Sequence, residues 1–490
     1  MSARLLFHDQ EISAAAFDEA VRRVAGGLER MGIGQGDVVC IMLHNSPTFL
    51  EAMLAARLLG AYYCPINWHY KAEEAGWILR DSGAKALVIE PALRSQIEGG
   101  IPASVCVLST EHWAQWSKQQ PAWAGAARPP GAMMPYTSGT TGRAKGVRRI
   151  PPPPGEAEAF ATLVQESLAR VLGIQPGMRA LLPAPLYHSA PASYGLQSML
   201  WGELLVLEER FDAERTLALI EQHRLTHAYL VPTMYVRLLR LDRSLKEKYD
   251  LSSMRFVAST GSPCPAELKR AMIEWWGPVF NESYAASELG YVTSISSAEA
   301  LRKPGSAGRP TGKAVIRILD SDGVELPRGT VGLIYARQPA YPDFIYNNNP
   351  EERTKLERDG LWSLGDMGFI DDEDYLYVCD RASDMVISGG VNIYPAEIEA
   401  VLALMPGVRD CAVFGIPDEE FGEALAAAVQ VEAGTNLDKD GVQRYLAARI
   451  ASYKVPRIVE FHAELPREES GKIFKRRLRA PYWEKTGRRI

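Results

Sequence analysis

The stretch Tyr136-Thr137-Ser138-Gly139-Thr140-Thr141-Gly142-Arg143-Ala144-Lys145-Gly146-Val147 has the make-up of a loop that holds phosphates. Between Thr137 and Gly146 it carries four hydroxyl side chains, three glycines and one lysine. Glycines let backbone N–H groups approach an anion, and hydroxyls and a lysine add donors. Gly146 stands where a Walker A loop needs Ser or Thr for magnesium, so this is a different phosphate loop. The bland alternative is a Gly/Ser/Thr-rich surface turn. The apolar run Ala132 to Pro135 just before it is expected to end a strand.

Five later stretches carry chemistry in the same direction. They are Ser259-Thr260-Gly261-Ser262-Pro263, Tyr284-Ala285-Ala286-Ser287-Glu288, Trp362-Ser363-Leu364-Gly365-Asp366, Asp380-Arg381-Ala382-Ser383-Asp384 running on to Gly389-Gly390-Val391-Asn392-Ile393-Tyr394-Pro395, and Pro466 to Ile473. Alone, each reads as a helix start, a turn or surface polar residues. Together with the glycine loop, and in the same order, they resemble the motifs of the adenylate-forming superfamily: acyl-CoA synthetases, adenylation domains of peptide synthetases and luciferases. Four positions depart from the usual pattern: Ala144 replaces Pro, Ala285 replaces Gly, Ser287 replaces Thr and Asp380 replaces Gly.

The resemblance implies roles. Thr137, Ser138, Gly139, Thr140, Thr141, Gly142 and Lys145 would hold the phosphates of ATP. Gly261, Ser262, Pro263 and Tyr284 would flank adenine, with Ser287 on phosphate. Glu288 would carry Mg2+, Asp366 would take the ribose hydroxyls, and Arg381 the ribose and phosphates. Asp384 would be a hinge, the pair Gly389 and Gly390 would lie along coenzyme A, and Lys472 would reach the active site during adenylation. Catalysis is assigned to Lys472, His188, Thr140 and Glu288. His188, Ser189, Tyr229, Gly261 and Ala285 would line the acyl pocket, together with small or apolar neighbours such as Ala190, Tyr194 and Met234. Amino-acid-activating relatives place an aspartate in the motif that here reads Tyr187-His188-Ser189, so the expected acid lacks an α-ammonium.

The implied reaction is ATP-dependent acyl-CoA formation through acyl-AMP, with ATP, Mg2+ and coenzyme A. Three other readings stay open: an acyl-AMP ligase loading a carrier protein, a luciferase-like oxygenase and a catalytically idle nucleotide-binding scaffold. The acid itself is fatty, aryl, steroid or terpenoid.

Alternating patterns must position these residues. Helices are expected over 16–31, 47–59, 72–80, 156–172, 191–201, 212–223, 233–248 and 265–276. Strands are expected over 37–43, 62–66, 86–89, 180–184, 203–208, 226–231, 255–259 and 279–284. This alternation predicts two doubly wound α/β layers. Residues 91–130 read as irregular, and Pro151 to Pro154 as a stiff spacer. Strands at 314–319, 330–337 and 368–379 suggest a small β unit. Beyond Arg381 comes a smaller, mobile α+β domain with helices over 395–404 and 437–448, strands over 408–415, 424–431 and 457–462, and a polar tail basic from Lys472 to Arg479. The expected domains are 1–383 and 384–490.

Composition narrows the class. A chain of 490 residues exceeds one ordinary core. Its 47% apolar and 23% charged residues fit a globular protein, and a net charge of −6 gives no argument for nucleic acid. Six cysteines without paired spacing argue against zinc or a disulfide framework and fit a reducing cytoplasm. No apolar run is long enough to span a bilayer. A homodimer is left open.

Overall fold

The computed structural model describes residues 1–484 apart from 127, 130, 138–142, 154, 390, 433 and 468–472. The chain forms two compact units. One is Met1–Val315 with Arg337–Glu357, and the other is Ile316–Ala336 with Arg358–Ile490. The boundary expected at 383 falls inside the second unit, between two of its sheets.

The first unit is α/β, with two mainly parallel sheets. The larger runs, in order, Arg309–Pro310, Thr293–Ser296, Phe280–Glu282, Phe256–Ser259, His227–Tyr229, Arg179–Leu182, Leu204–Leu207, Arg4–Phe7 and Gln10–Ile12. The smaller runs Tyr62–Pro65, Val38–Met42, Ala86–Ile89 and Cys106–Ser109, all parallel. Central strands such as Val38–Met42 and Leu204–Leu207 are buried along their whole length, as parallel strands covered on both faces must be. In the smaller sheet Val39, Ile41 and Val88 face one apolar cluster while Cys40, Met42 and Leu87 face another. Burying each such Val, Leu or Ile contributes about 1.5–3 kcal/mol. Helix ends follow local chemistry. Ser13 caps Ala14–Arg30 through Ala16 N–H, and Ser46 caps Pro47–Leu58, whose proline occupies the first turn.

Several expectations are corrected here. Residues 91–130 contain the helix Pro91–Ile97, the edge strand Cys106–Ser109 and the helix Trp113–Lys118. Cys106–Ser109 is only half-buried, so it lacks a continuous apolar run, and Pro91 starts its helix instead of breaking one. The helix expected over 233–248 is two, Pro232–Leu239 and Arg243–Lys246. Met133 makes only an isolated bridge to Tyr63, and the strand begins later, at Tyr136–Thr137.

In the second unit, one antiparallel sheet includes Gly332–Arg337, Asp366–Ile370 and Leu376–Arg381, with Asp371 to Asp374 as the expected turn. Gly332–Arg337 alternates buried and half-buried residues, the mark of a sheet with one wetter face. The other sheet is built around the long pair Val408–Asp418 and Gly422–Val431, with Ile458–His462 parallel to the latter. Ile398, Leu402, Val442 and Leu446 pack on one face with Val413, and Leu478 packs on the other with Phe414. The tail expected to be merely polar is the helix Lys475–Trp483, anchored by Trp483 Nε1 donating to Gly415 O at 3.0 Å. Among the described residues, no helix is long and apolar enough to cross a membrane.

Candidate active site

In the first unit the site is built on one buried carboxylate. Glu288 lies in the turn that joins the two strands of the short ribbon, Ala285–Ala286 and Gly290–Tyr291, and is 6% exposed. Its Oε1 accepts from Thr137 Oγ1 at 3.1 Å and from Tyr346 OH at 3.0 Å. Tyr346 belongs to the strand Phe344–Tyr346, which pairs antiparallel with Lys145–Arg149, directly after the glycine loop. Burial and the adjacent carboxylate push the Tyr346 phenol pKa up, so it stays a donor.

The neighbouring Ser287 joins a second motif. Its hydroxyl lies 3.1 Å from Ser189 Oγ. Its carbonyl accepts from Arg149 Nη2 at 2.7 Å, while Arg149 Nη1 donates to Pro342 O at 2.8 Å. Burial pulls the Arg149 guanidinium pKa down, opposed by the fields of Tyr341, Glu288 and Asp343. Ser189 opens the helix Ser189–Trp201, with half-buried His188 at its N-cap and the Tyr187 ring 4.3 Å from the imidazole. Asn45 fixes this approach. Its Nδ2 donates to Ala184 O and Glu208 O at 2.9 and 3.0 Å, and its Oδ1 accepts Leu186 N–H at 2.7 Å.

Lys145 pairs with Glu352 Oε2 at 2.6 Å, and its ammonium lies 5.4 Å from the Tyr346 ring centroid. Its hydrogen bond, with help from Lys355, holds the Glu352 carboxyl pKa down at about 2. Glu352 is therefore the partner of this lysine. Gly146 is required by crowding: a Cβ there would lie 2.8 Å from the Tyr136 ring. Tyr136 in turn donates to Asp81 Oδ2 at 2.6 Å.

The remaining expected residues of this unit are close in the fold. Gly261, Ser262 and Pro263 form an exposed turn, with φ +98° at Gly261. Thr260 Oγ1 ties that turn to Ser283 O at 2.9 Å, one residue before Tyr284. Tyr284 receives support through its N–H, which donates to Thr293 Oγ1 at 3.1 Å. Tyr229 is buried at the end of its strand, its ring 5.7 Å from that of Tyr194, and Ala285 packs against the same core.

In the second unit Asp366 and Arg381 are cross-strand partners, Arg381 Nε lying 3.5 Å from Asp366 Oδ1. Asp384 closes a tight turn, its N–H donating to Arg381 O at 3.0 Å. Gly389 has φ +57°, and its N–H donates to Phe421 O at 2.8 Å. Ser138, Gly139, Thr140, Thr141, Gly142, Gly390 and Lys472 lie outside the described residues. Sequence reasoning missed Asn45, Arg149, Tyr346 and Glu352, none of which sits in a motif. The run Phe344-Ile345-Tyr346 beside a turn-rich Asn347 to Asn349 was the available signal for a short strand.

Two family models match the chain: AMP-binding enzyme over residues 2–341 and AMP-binding enzyme C-terminal domain over residues 397–472. The chain is 34% identical over 472 residues to a feruloyl-CoA synthase of an Amycolatopsis species, covering 96% of this chain and 93% of that one. It is 33% identical over 492 residues to a long-chain-fatty-acid–CoA ligase of Mycobacterium tuberculosis, covering 97% and 94%. Its fold is similar to ATP-bound MatB from Rhodopseudomonas palustris, with a TM-score of 0.84 and 30% identity over 98% and 96% of the two chains. Matches of this extent take in both units and every motif described, so the chain belongs to the AMP-binding enzyme family, in its acid–CoA ligase branch: an AMP-forming ligase that makes carbon–sulfur bonds.

Proposed function

We propose that this ligase activates an acyl or aryl carboxylic acid without an α-amino group. The acid's carboxylate attacks the α-phosphorus of ATP and pyrophosphate leaves, giving acyl-AMP. The thiolate of coenzyme A then attacks the acyl carbon and AMP leaves, giving the thioester. The observation that carries this reading is Glu288, gripped by Thr137 and Tyr346 beside the Ser189–Ser287 pair. It joins the phosphate loop, the acid motif and the adenine-side motif around one charge.

Such a site works by alignment and by offsetting charge on the reacting phosphorus, with little covalent work for the protein. Thr137 and the loop after it orient the triphosphate, and Lys145 exchanges Glu352 for phosphate oxygens. His188 and Ser189 orient the acid, and Ser287 contacts phosphate. In the second unit Asp366 takes the ribose hydroxyls and Arg381 the phosphate side. Lys472 neutralises charge between carboxylate and α-phosphate, and Asp384 is the pivot between the two half-reactions.

Magnesium is part of this proposal. Glu288 offers one buried carboxylate, and among the described residues no three His, Cys, Asp or Glu side chains are grouped to cage a metal. That donor set fits an ion that arrives on the triphosphate and takes one protein ligand. When bound it offsets charge on the departing pyrophosphate. The six free cysteines support a cytoplasmic setting.

The acid class rests on Tyr187-His188-Ser189, which has no aspartate to pair with an ammonium. The test is pyrophosphate release with ferulic, 4-coumaric, medium- and long-chain fatty acids and the proteinogenic amino acids, free coenzyme A being compared with a phosphopantetheinylated carrier. Apolar acids with free coenzyme A are expected to win. Amino acids turned over at the rate of the best acid would overturn the assignment.

A further inference from the structure

The second unit buries an ammonium that the ligase reading does not use. Lys475 opens the helix Lys475–Trp483, yet its side chain is only 15% exposed. A cation in a first turn opposes the helix dipole, and this turn holds no acidic residue. The compensation comes from outside the helix. Lys475 Nζ lies 2.8 Å from Glu399 Oε1, and the same oxygen accepts the N–H of Val413 on the sheet's edge strand at 2.6 Å. Burial pulls the lysine's pKa down, but Glu399, Asp380 and Asp384 together outweigh it and push it up.

Asp380 is the least expected member. It stands near the end of Leu376–Arg381, before the turn through Asp384, but its Oδ2 accepts the N–H of Ala396 beyond that turn at 2.9 Å. Its Oδ1 accepts the N–H of Arg381 at 2.8 Å. The helix Pro395–Leu402 starts at Tyr394, which makes no side-chain capping bond. A carboxylate from the strand Leu376–Arg381, two strands earlier in the chain, supplies the cap and the negative charge that a helix start favours. The half-buried aspartate thus holds a helix N–H across the turn, and its pKa is raised by burial against the opposing field of Lys475.

We propose that Asp380 and Lys475 are positioning residues that tie the chain after Asp384 back to the strand before it, and so set how readily that segment changes arrangement between the two half-reactions. The clause about half-reactions rests on the ligase reading; the tie itself does not.

Limited trypsin digestion reads the tie without substrate, because Arg381 is the last strand residue before the turn and its side chain is 44% exposed. Cleavage of a transiently opened segment follows the population of the open form. Asp380→Ala is expected to speed cleavage after Arg381 by about five- to tenfold, the scale of a lost helix cap. Asp380→Asn, which keeps an acceptor for Ala396 and removes only the charge, should fall between it and the parent, and serves if the alanine variant does not fold. Combining Asp380→Ala with Lys475→Arg should add less than the two separate effects, as for residues in one network. Single-turnover adenylation, and thioester formation from supplied adenylate, are then measured with the acid that releases pyrophosphate fastest. A changed ratio between the two half-reactions is expected. Unchanged trypsin cleavage would overturn the tie, and both half-reactions falling by the same factor would overturn its use in catalysis. A parent protein with no ligase activity but the expected trypsin pattern would sink the ligase reading and leave the tie standing.

Discussion

In the first unit a carboxylate is held by hydroxyls; in the second an ammonium is held by carboxylates. Glu288 accepts from Thr137 and Tyr346, two neutral hydroxyl donors that can be released one bond at a time. Lys475 pairs with Glu399 in the fields of Asp380 and Asp384, and removing the lysine would leave these half-buried carboxylates without their cation. The first arrangement suits a place where ligands come and go, the second a joint that holds a few discrete arrangements. The scaffold of the first unit does contain a complete buried ion pair, Lys269 with Glu282, and there it fixes the helix Ala266–Trp276 against the strand Phe280–Glu282. Function and scaffold are therefore separable by which kind of polar contact is cut.

The largest expected effect is on that scaffold pair. Lys269→Met leaves Glu282 buried without its partner and should cost about 3–5 kcal/mol of stability in urea unfolding. Adding Glu282→Leu should recover most of it; a double variant as unstable as the single would mean the pair's charge is not what matters. Next comes Lys472→Ala, expected to slow acyl-adenylate formation by about 2.7–4 kcal/mol, the scale of one lost transition-state donor. Thioester formation from supplied adenylate should stay near the parent rate, and Asp384→Pro should do the reverse, since proline restricts a pivot to fewer backbone states. Both variants losing the same half-reaction would break the two-state scheme of adenylation and thioester formation.

Glu288→Gln sharpens the hydroxyl-held side of the comparison. Removing the charge that Thr137 and Tyr346 serve should cost adenylation about 1.5–3 kcal/mol, the range for hydrogen bonds to charged groups. The second half-reaction, which has no triphosphate, should lose less, and equal losses would remove the metal role. The smallest effect concerns pH. His227 is 2% exposed, and burial pulls its pKa from 6.5 down to about 4. Between those values the unfolded chain binds a proton that the folded chain refuses, so this group's contribution is intact above pH 6.5 and is lost as pH falls toward 4. Stability should drop by about 2 kcal/mol between pH 7 and pH 5 on this account, and His227→Gln should flatten that step. An unaltered pH profile would show that the imidazole is not the group responsible.

Motif chemistry was legible in the sequence because it is local. Glycines, hydroxyls and acids at fixed offsets announce a phosphate loop or a turn whatever surrounds them, and Ser46 before Pro47 announces a helix start. The fully buried strands were legible for a similar reason, since Val38–Met42 and Ala86–Ile89 are unbroken apolar runs. Cys106–Ser109 and Phe344–Tyr346 were not, because one is a half-exposed edge and the other is a strand of three residues whose partner lies some two hundred positions earlier.

The sequence by itself determined the family of reactions, the order of the motifs and the absence of an aspartate beside His188, all of which depend on residue type and spacing along the chain. Only the tertiary structure decided which donors meet Glu288, why Lys145 rests on Glu352, and that Asp380 caps a helix across the turn at Asp384. Those contacts join residues far apart in the chain or on either side of a turn. A carboxylate's partner is set by where the backbone brings it, and side-chain type alone does not encode that.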